Sequence, residues 1–214
     1  MPYKNHLKQI IKSLRTHVEN NTFSATAVYE ATNKLAEINY KYDSSLFPEL
    51  PPTTNWKVPP LDKPQSLAEA LLWKMGKWKI YKSFVEHFDN SDSQSTSTDV
   101  VFYAFAKNLA DQNKPIYDQH ALRALWAIDT KLTPQQAKLC RNLLTKKKSG
   151  EWKPIASGVS APDGYLMYVN RINDISLSGA SLGDIDKLLM PLGQALKDHT
   201  KNVDDFLLLT GCAN

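Results

Sequence analysis

Only two cysteines, Cys140 and Cys212, occur in the 214 residues. They are too few and too far apart for a disulfide framework or a zinc site, and an iron–sulfur cluster asks for four thiolates. Glycine is scarce too, at 8 residues, and none of it forms a phosphate-cradling loop; Gly158 and Gly164, flanking Pro162, read as turn punctuation. No apolar stretch approaches the roughly 20 residues of a membrane helix; the longest runs from Val100 to Ala106. Charged and polar residues interrupt the opening MPYKNHLKQIIKSLRTH throughout, so it has no signal-peptide core. The five histidines, His6, His17, His87, His120 and His199, show no metal-binding spacing. Collagen-like, mucin-like and wholly disordered classes are excluded by a composition of 42% hydrophobic and 22% charged residues. The expectation is a cytoplasmic protein with reduced thiols, no metal, no cofactor and no membrane contact.

Charge is present but unevenly spread. Residues 1–64 carry 8 basic and 6 acidic side chains, residues 65–153 carry 14 and 9, and residues 154–214 carry 4 and 7. A basic middle on a chain of net charge +4 can attract a polyanion without making the whole surface adhesive.

Periodicities read helical almost everywhere. Leu7, Ile10, Ile11, Leu14 and Val18 mark one buried helix face, and Val28, Ala31, Leu35 and Ile38 mark another after an N-cap at Ser24. Six of the twelve prolines fall between Pro48 and Pro64, an extended strap carrying Trp56. A helix restarts at the capping box Ser66–Glu69, pauses at Gly76 and resumes through Phe88. After the polar loop Asn90–Thr98, the apolar Val101, Phe102, Phe105 and Leu109 mark the next helix. Asp118 precedes a helix over Gln119–Ile128, and Thr133–Gln136 is a second capping box. Its helix carries Cys140, read as a small core residue, and closes on Lys146, Lys147 and Lys148, cations favourable at a helix C-terminus. A loop over 149–163 and helices over 164–177 and 183–199 follow, the second kinked or restarted at Pro191. The prediction is one all-α domain of about nine helices, an orthogonal bundle without strands. It divides into an N-terminal helical pair (1–45), the proline-rich strap (46–65) and a helical core (66–200).

Two constellations carry chemistry. In Trp73–Lys82, four lysines (Lys74, Lys77, Lys79 and Lys82) stand among Trp73, Trp78 and Tyr81. Lysines can neutralise phosphates while rings stack on bases; alternatively the aromatics are core and the lysine stems snorkel to water. The second runs from Lys114 through Asp118 and His120 to Arg123, a polar cluster at a helix N-terminus where Asp118 is at least an N-cap. The pairs Asp184/Asp186 and Asp204/Asp205 read as solvated helix-end charges rather than catalytic pairs.

The segment Phe102–Trp126, FYAFAKNLADQNKPIYDQHALRALW, resembles the helix–hairpin–helix DNA glycosylase superfamily (endonuclease III-like) after its hairpin. There a helix leads to Val-Asp-Thr-His-Val-x-Arg at the start of the next helix. The resemblance matches Asp118 to the catalytic aspartate, His120 to the neighbouring histidine and Arg123 to the arginine. Gly183-Asp-Ile-Asp-Lys-Leu-Leu-Met-Pro-Leu-Gly193-Gln is similar to a tail motif of small bacterial proteins sharing the Asp-x-His arrangement. The likeness covers about residues 66–197 and is one of motifs. It departs at the hairpin, where the family's Leu-Pro-Gly-Val-Gly is replaced by Gln94–Val100, with no glycine and no nucleophilic lysine. That argues against a Schiff-base lyase and leaves at most monofunctional base excision, with Asp118 stabilising the developing sugar cation.

The resemblance and the basic middle imply a nucleic-acid-binding protein, with DNA as partner, on a glycosylase-like scaffold whose catalytic machinery is degenerate. Lys74, Lys77, Trp78, Lys79, Lys82, Lys114 and Arg123 are the candidate nucleic-acid contacts. The other reading is a helical protein that binds a protein partner or a second copy of itself, with Asp118 as a structural cap.

Overall fold

The computed structural model describes residues 2–43, 63–90, 93–95, 99–111, 113–154 and 161–212. Most of the proline-rich strap, including Trp56, lies outside them, as do Thr96–Thr98 of the polar loop and Gly158. The described residues are mostly helical, with ten helices and one two-stranded hairpin.

The first helix, α1 (Pro2–Glu19), buries the predicted stripe from Leu7 to Val18. In α2 (Ala25–Glu37) the Ser24 hydroxyl accepts from the Ala27 N–H, and Val28, Ala31 and Leu35 are buried. Next, α3 (Leu67–Lys74) opens on the Ser66–Glu69 capping box, and Gly76 at φ +70 turns the chain into α4 (Trp78–Asp89).

The predicted helix α5 (Val100–Ala110) turns Val100 and Ala104 into the core, with Val101 packed against it and Phe102 40% exposed. With Val100–Ala106 apolar throughout, periodicity cannot separate one face from its neighbour.

The centre of the molecule is α6 (Gln119–Ile128), buried at every position from Ala121 to Ile128. Following the second capping box, α7 (Pro134–Leu144) buries Cys140, Leu143 and Leu144. Lys146, Lys147 and Lys148 do not close this helix. They lie in β1 (Thr145–Lys148), which pairs antiparallel with β2 (Glu151–Pro154), Lys147 opposite Trp152. The turn is Ser149–Gly150, both at positive φ, as a two-residue hairpin turn requires.

Three helices complete the chain: α8 (Pro162–Ser176), α9 (Leu182–His199) and α10 (Val203–Thr210). Pro191 sits inside α9 without dividing it. The last helix, which the sequence reading did not include, is capped by the Asn202 side chain on the Asp205 N–H at 2.8 Å. One hydrophobic core joins residues from Leu7 to Leu209, so the N-terminal pair packs into the same body as the rest. Within it α6 lies against α1, α7 and α9, and α2 also packs on α9.

Candidate functional site

The corner before α6 is held from two sides. The Asn108 side-chain amide donates to the Lys114 carbonyl at 2.7 Å, and the Ile116 N–H donates to Asp186 Oδ2 at 3.0 Å. These bonds set the exit direction for Asp118, whose Oδ1 accepts from the His120 and Ala121 N–H groups at 2.7 and 2.8 Å. One carboxylate oxygen is thus committed to capping α6. Asp118→Ala is expected to lower folding stability by about 1–2 kcal/mol, and Asp118→Asn, which keeps the acceptor, by much less. Urea denaturation of the two variants measures the difference.

His120 and Arg123 gather beside that cap. Arg123 Nη1 lies 3.4 Å from His120 Nδ1 and donates to the Gly193 carbonyl at 3.3 Å. Burial pushes His120 below its ordinary range, against the pull of the Asp118 charge, and Arg123 adds to the lowering. Burial also lowers Arg123, which is only 4% exposed and as placed braces α6 against α9 rather than facing a phosphate. The three residues singled out by sequence are together in space, but each is occupied in holding the corner.

Beneath the corner lies a buried polar group that sequence reasoning misread. Asp186 is 6% exposed, not solvated, because its position on α9 faces the 114–118 segment instead of water. Its second oxygen has no partner among the described residues, and neither do the hydroxyls of Tyr117 and Tyr168, whose rings are 5.2 Å apart. Burial raises Asp186 to about 7, with the Asp118 charge adding to the rise and the Ile116 N–H opposing it. Asp184 and Asp204, by contrast, stand in the first turns of α9 and α10 as helix-start charges.

On the outer side of the corner, a cavity of about 540 Å³ is lined by Tyr40, Tyr42, His120, Pro191, Gln194 and Asp198. The Tyr40 hydroxyl donates to Asp198 at 3.1 Å, and Gln194 donates to the same carboxylate. Asn39, Lys41, Asp43 and Met190 complete its wall, so that most of the residues lining it carry polar or charged groups.

The basic–aromatic stretch forms the α3–α4 hairpin. None of α3 is buried: Trp73 is 59% exposed, and Leu67, Leu71 and Met75 are exposed as well. Lys74, Lys77 and Lys79 are exposed, whereas Lys82 is half-buried and already has a partner in the protein. Trp78 stacks on Tyr81 at 5.4 Å, and the Tyr81 hydroxyl donates to Glu69 Oε1 at 2.9 Å. Glu69 also accepts from the Gln65 and Ser66 N–H groups, so one carboxylate ties the α3 N-terminus to α4. Lys114 has an exposed side chain at the corner itself.

A second polar cluster joins α4 to the start of α5. His87, almost fully buried, lies 3.1 Å from Asp99 Oδ2 through Nε2 and 3.1 Å from the Ser93 hydroxyl through Nδ1. Ser83, one turn before His87, donates to the same Asp99 oxygen at 3.0 Å. Only the i, i+4 spacing of Ser83 and His87 could have signalled it in sequence; Asp99 arrives from across the loop.

No family model, curated protein or solved structure matches this chain. Its site residues are therefore read from their own geometry.

Proposed function

We propose that this protein binds nucleic acid through the α3–α4 hairpin, on a scaffold resembling the helix–hairpin–helix glycosylases but with degenerate catalytic machinery. The observation that carries the reading is the exposure of Trp73 amid Lys74, Lys77 and Lys79 on a hairpin whose first helix buries no residue. Trp73, Leu67, Leu71 and Met75 are exposed together on one short helix and its cap, and a group of exposed apolar side chains rimmed by ammonium groups is the kind of surface that marks an interaction site. Nucleic acid offers phosphates to the lysines and flat apolar faces to the ring. The order of parts supports the scaffold: two helices, α4 and α5, joined by a loop, then a pinned corner and a helix opening on Asp118. The absence of glycine between Gln94 and Val100 and the capping role of Asp118 support degenerate chemistry. Arg123 and Lys82 are left out of the interface, because both are engaged within the fold.

Fluorescence anisotropy of labelled DNA over a salt series tests this. Binding should saturate and weaken steeply with salt, and Lys74→Glu/Lys77→Glu/Lys79→Glu should flatten that slope by roughly 0.7–0.9 for each phosphate no longer neutralised. Absence of binding at low salt would retire the reading. It would then favour the protein-partner or homodimer alternative, in which Asp118 is a cap alone.

A further inference from the structure

We infer that the α3–α4 hairpin takes single-stranded nucleic acid in preference to duplex, with Trp73 stacking on an unpaired base; the inference rests on the nucleic-acid reading above. A duplex keeps its base faces inside the stack and shows a convex protein element little but sugar and phosphate. Lysines alone would suffice for such contact, and an exposed indole would gain nothing from it. An unpaired strand presents base faces, and burying an indole against one recovers the apolar surface that α3 leaves in water.

The hairpin is built to hold that ring still. The capping box fixes the first turn of α3, Gly76 at φ +70 fixes the reversal, and the Tyr81–Glu69 bond closes the two helices on each other. Trp78 is spent inside this clamp, stacked on Tyr81, so Trp73 is the indole left facing outward. Lys74 adjoins it in sequence and Lys77 follows the Gly76 reversal, both exposed and so available to phosphates near a stacked base.

An anionic membrane surface is the competing occupant of a basic hairpin with exposed Leu67, Leu71 and Met75. Those three recur at four-residue spacing on one side of α3, while Trp73 is two residues, or about 200°, from Leu71. A helix lying in a bilayer interface needs its apolar residues gathered on one face and its charges on the other. Here they ring a two-turn helix, which suits one base at one ring better than a flat insertion.

The test uses the full chain with a labelled oligothymidylate and the same strand annealed to its complement, read by anisotropy and by tryptophan fluorescence. Single-strand binding should be tighter than duplex binding and should quench tryptophan emission. Trp73→Ala should weaken single-strand binding by about tenfold while leaving duplex binding unchanged, and Trp73→Phe, which keeps a stacking face, should restore most of the loss. With its indole mostly in water, Trp73 can be replaced without disturbing the core, and a thermal melt confirms folding of each variant. Equal affinity for both forms, or a Trp73→Ala variant that binds the single strand normally, would overturn the inference and leave the broader reading standing. Failure to bind either form, or binding instead to vesicles containing phosphatidylserine, would overturn both.

Discussion

Gly193→Ala should destabilise the protein by more than about 3 kcal/mol. A methyl group at this position would lie 2.0 Å from the His120 carbonyl oxygen, 2.5 Å from its carbon and 2.7 Å from the His120 Cα. All three are backbone atoms of α6, so no side-chain rotation can make room. The two helices would have to move apart by about 1 Å, opening the core along a helix buried from Ala121 to Ile128. Overpacking an ordinary core costs about 1–3 kcal/mol, and a backbone clash between its two central helices belongs at or above the top of that range. The same separation would break the Arg123 bond to the Gly193 carbonyl. Gly183 is the control on the same helix: nothing lies within 4 Å of a methyl there, and alanine should be neutral or slightly stabilising. Urea denaturation of both variants decides the matter; a Gly193→Ala protein as stable as the parent would refute the close crossing.

The second large effect is a loss of stability between pH 4 and 7 that traces to Asp186. In the unfolded chain this carboxyl ionises near 3.8, whereas burial in the folded state holds it to about 7. Between those values the folded protein binds more protons than the unfolded one. The stabilising contribution is therefore complete below the unfolded value and falls as pH rises through about 7, after which it is flat. Three units of separation correspond to up to about 4 kcal/mol. Asp186→Asn removes the titration yet keeps an oxygen for the Ile116 N–H. The variant should match the parent near pH 4 and exceed it in stability at pH 8. Measuring denaturation of both proteins across this range cancels the contributions of all other groups. Parallel curves would show that Asp186 is not the buried acid described here.

Both effects arise from Gly183–Gln194, whose residues sequence reasoning treated as a similarity and a pair of surface charges. Local logic served where the cause is local. Ser24, Ser66, Asp118 and Thr133 all cap their helices, because an N-cap needs only its own side chain and the next three N–H groups. Local logic failed at Lys146–Lys148, where a Ser–Gly turn made a hairpin more favourable than an extended helix end. It failed again for Asp186, since an acid near a helix start is solvated only when that start faces water. The trio Asp118, His120 and Arg123 was legible as a cluster because i, i+2 and i+5 bring these positions to one end of a helix. That Arg123 is buried against Gly193 was not legible, because the partner lies 70 residues away in the chain.

What the amino-acid order determined by itself was the mostly helical class, the helix starts, the core stripes of α1 and α2, and the concentration of lysine and tryptophan in one hairpin. These follow from hydrogen bonds and side-chain spacings within a turn or two. Tertiary structure alone decided which side chains meet: that α9 crosses α6 at a glycine, that Asp186 is sealed under the Asp118 corner, and that α3 stays outside the core with Trp73 in water. Burial is a property of what lies across from a residue: for the glycine crossing and Asp186 the facing group comes from a distant part of the chain, whereas Trp73 is left 59% exposed.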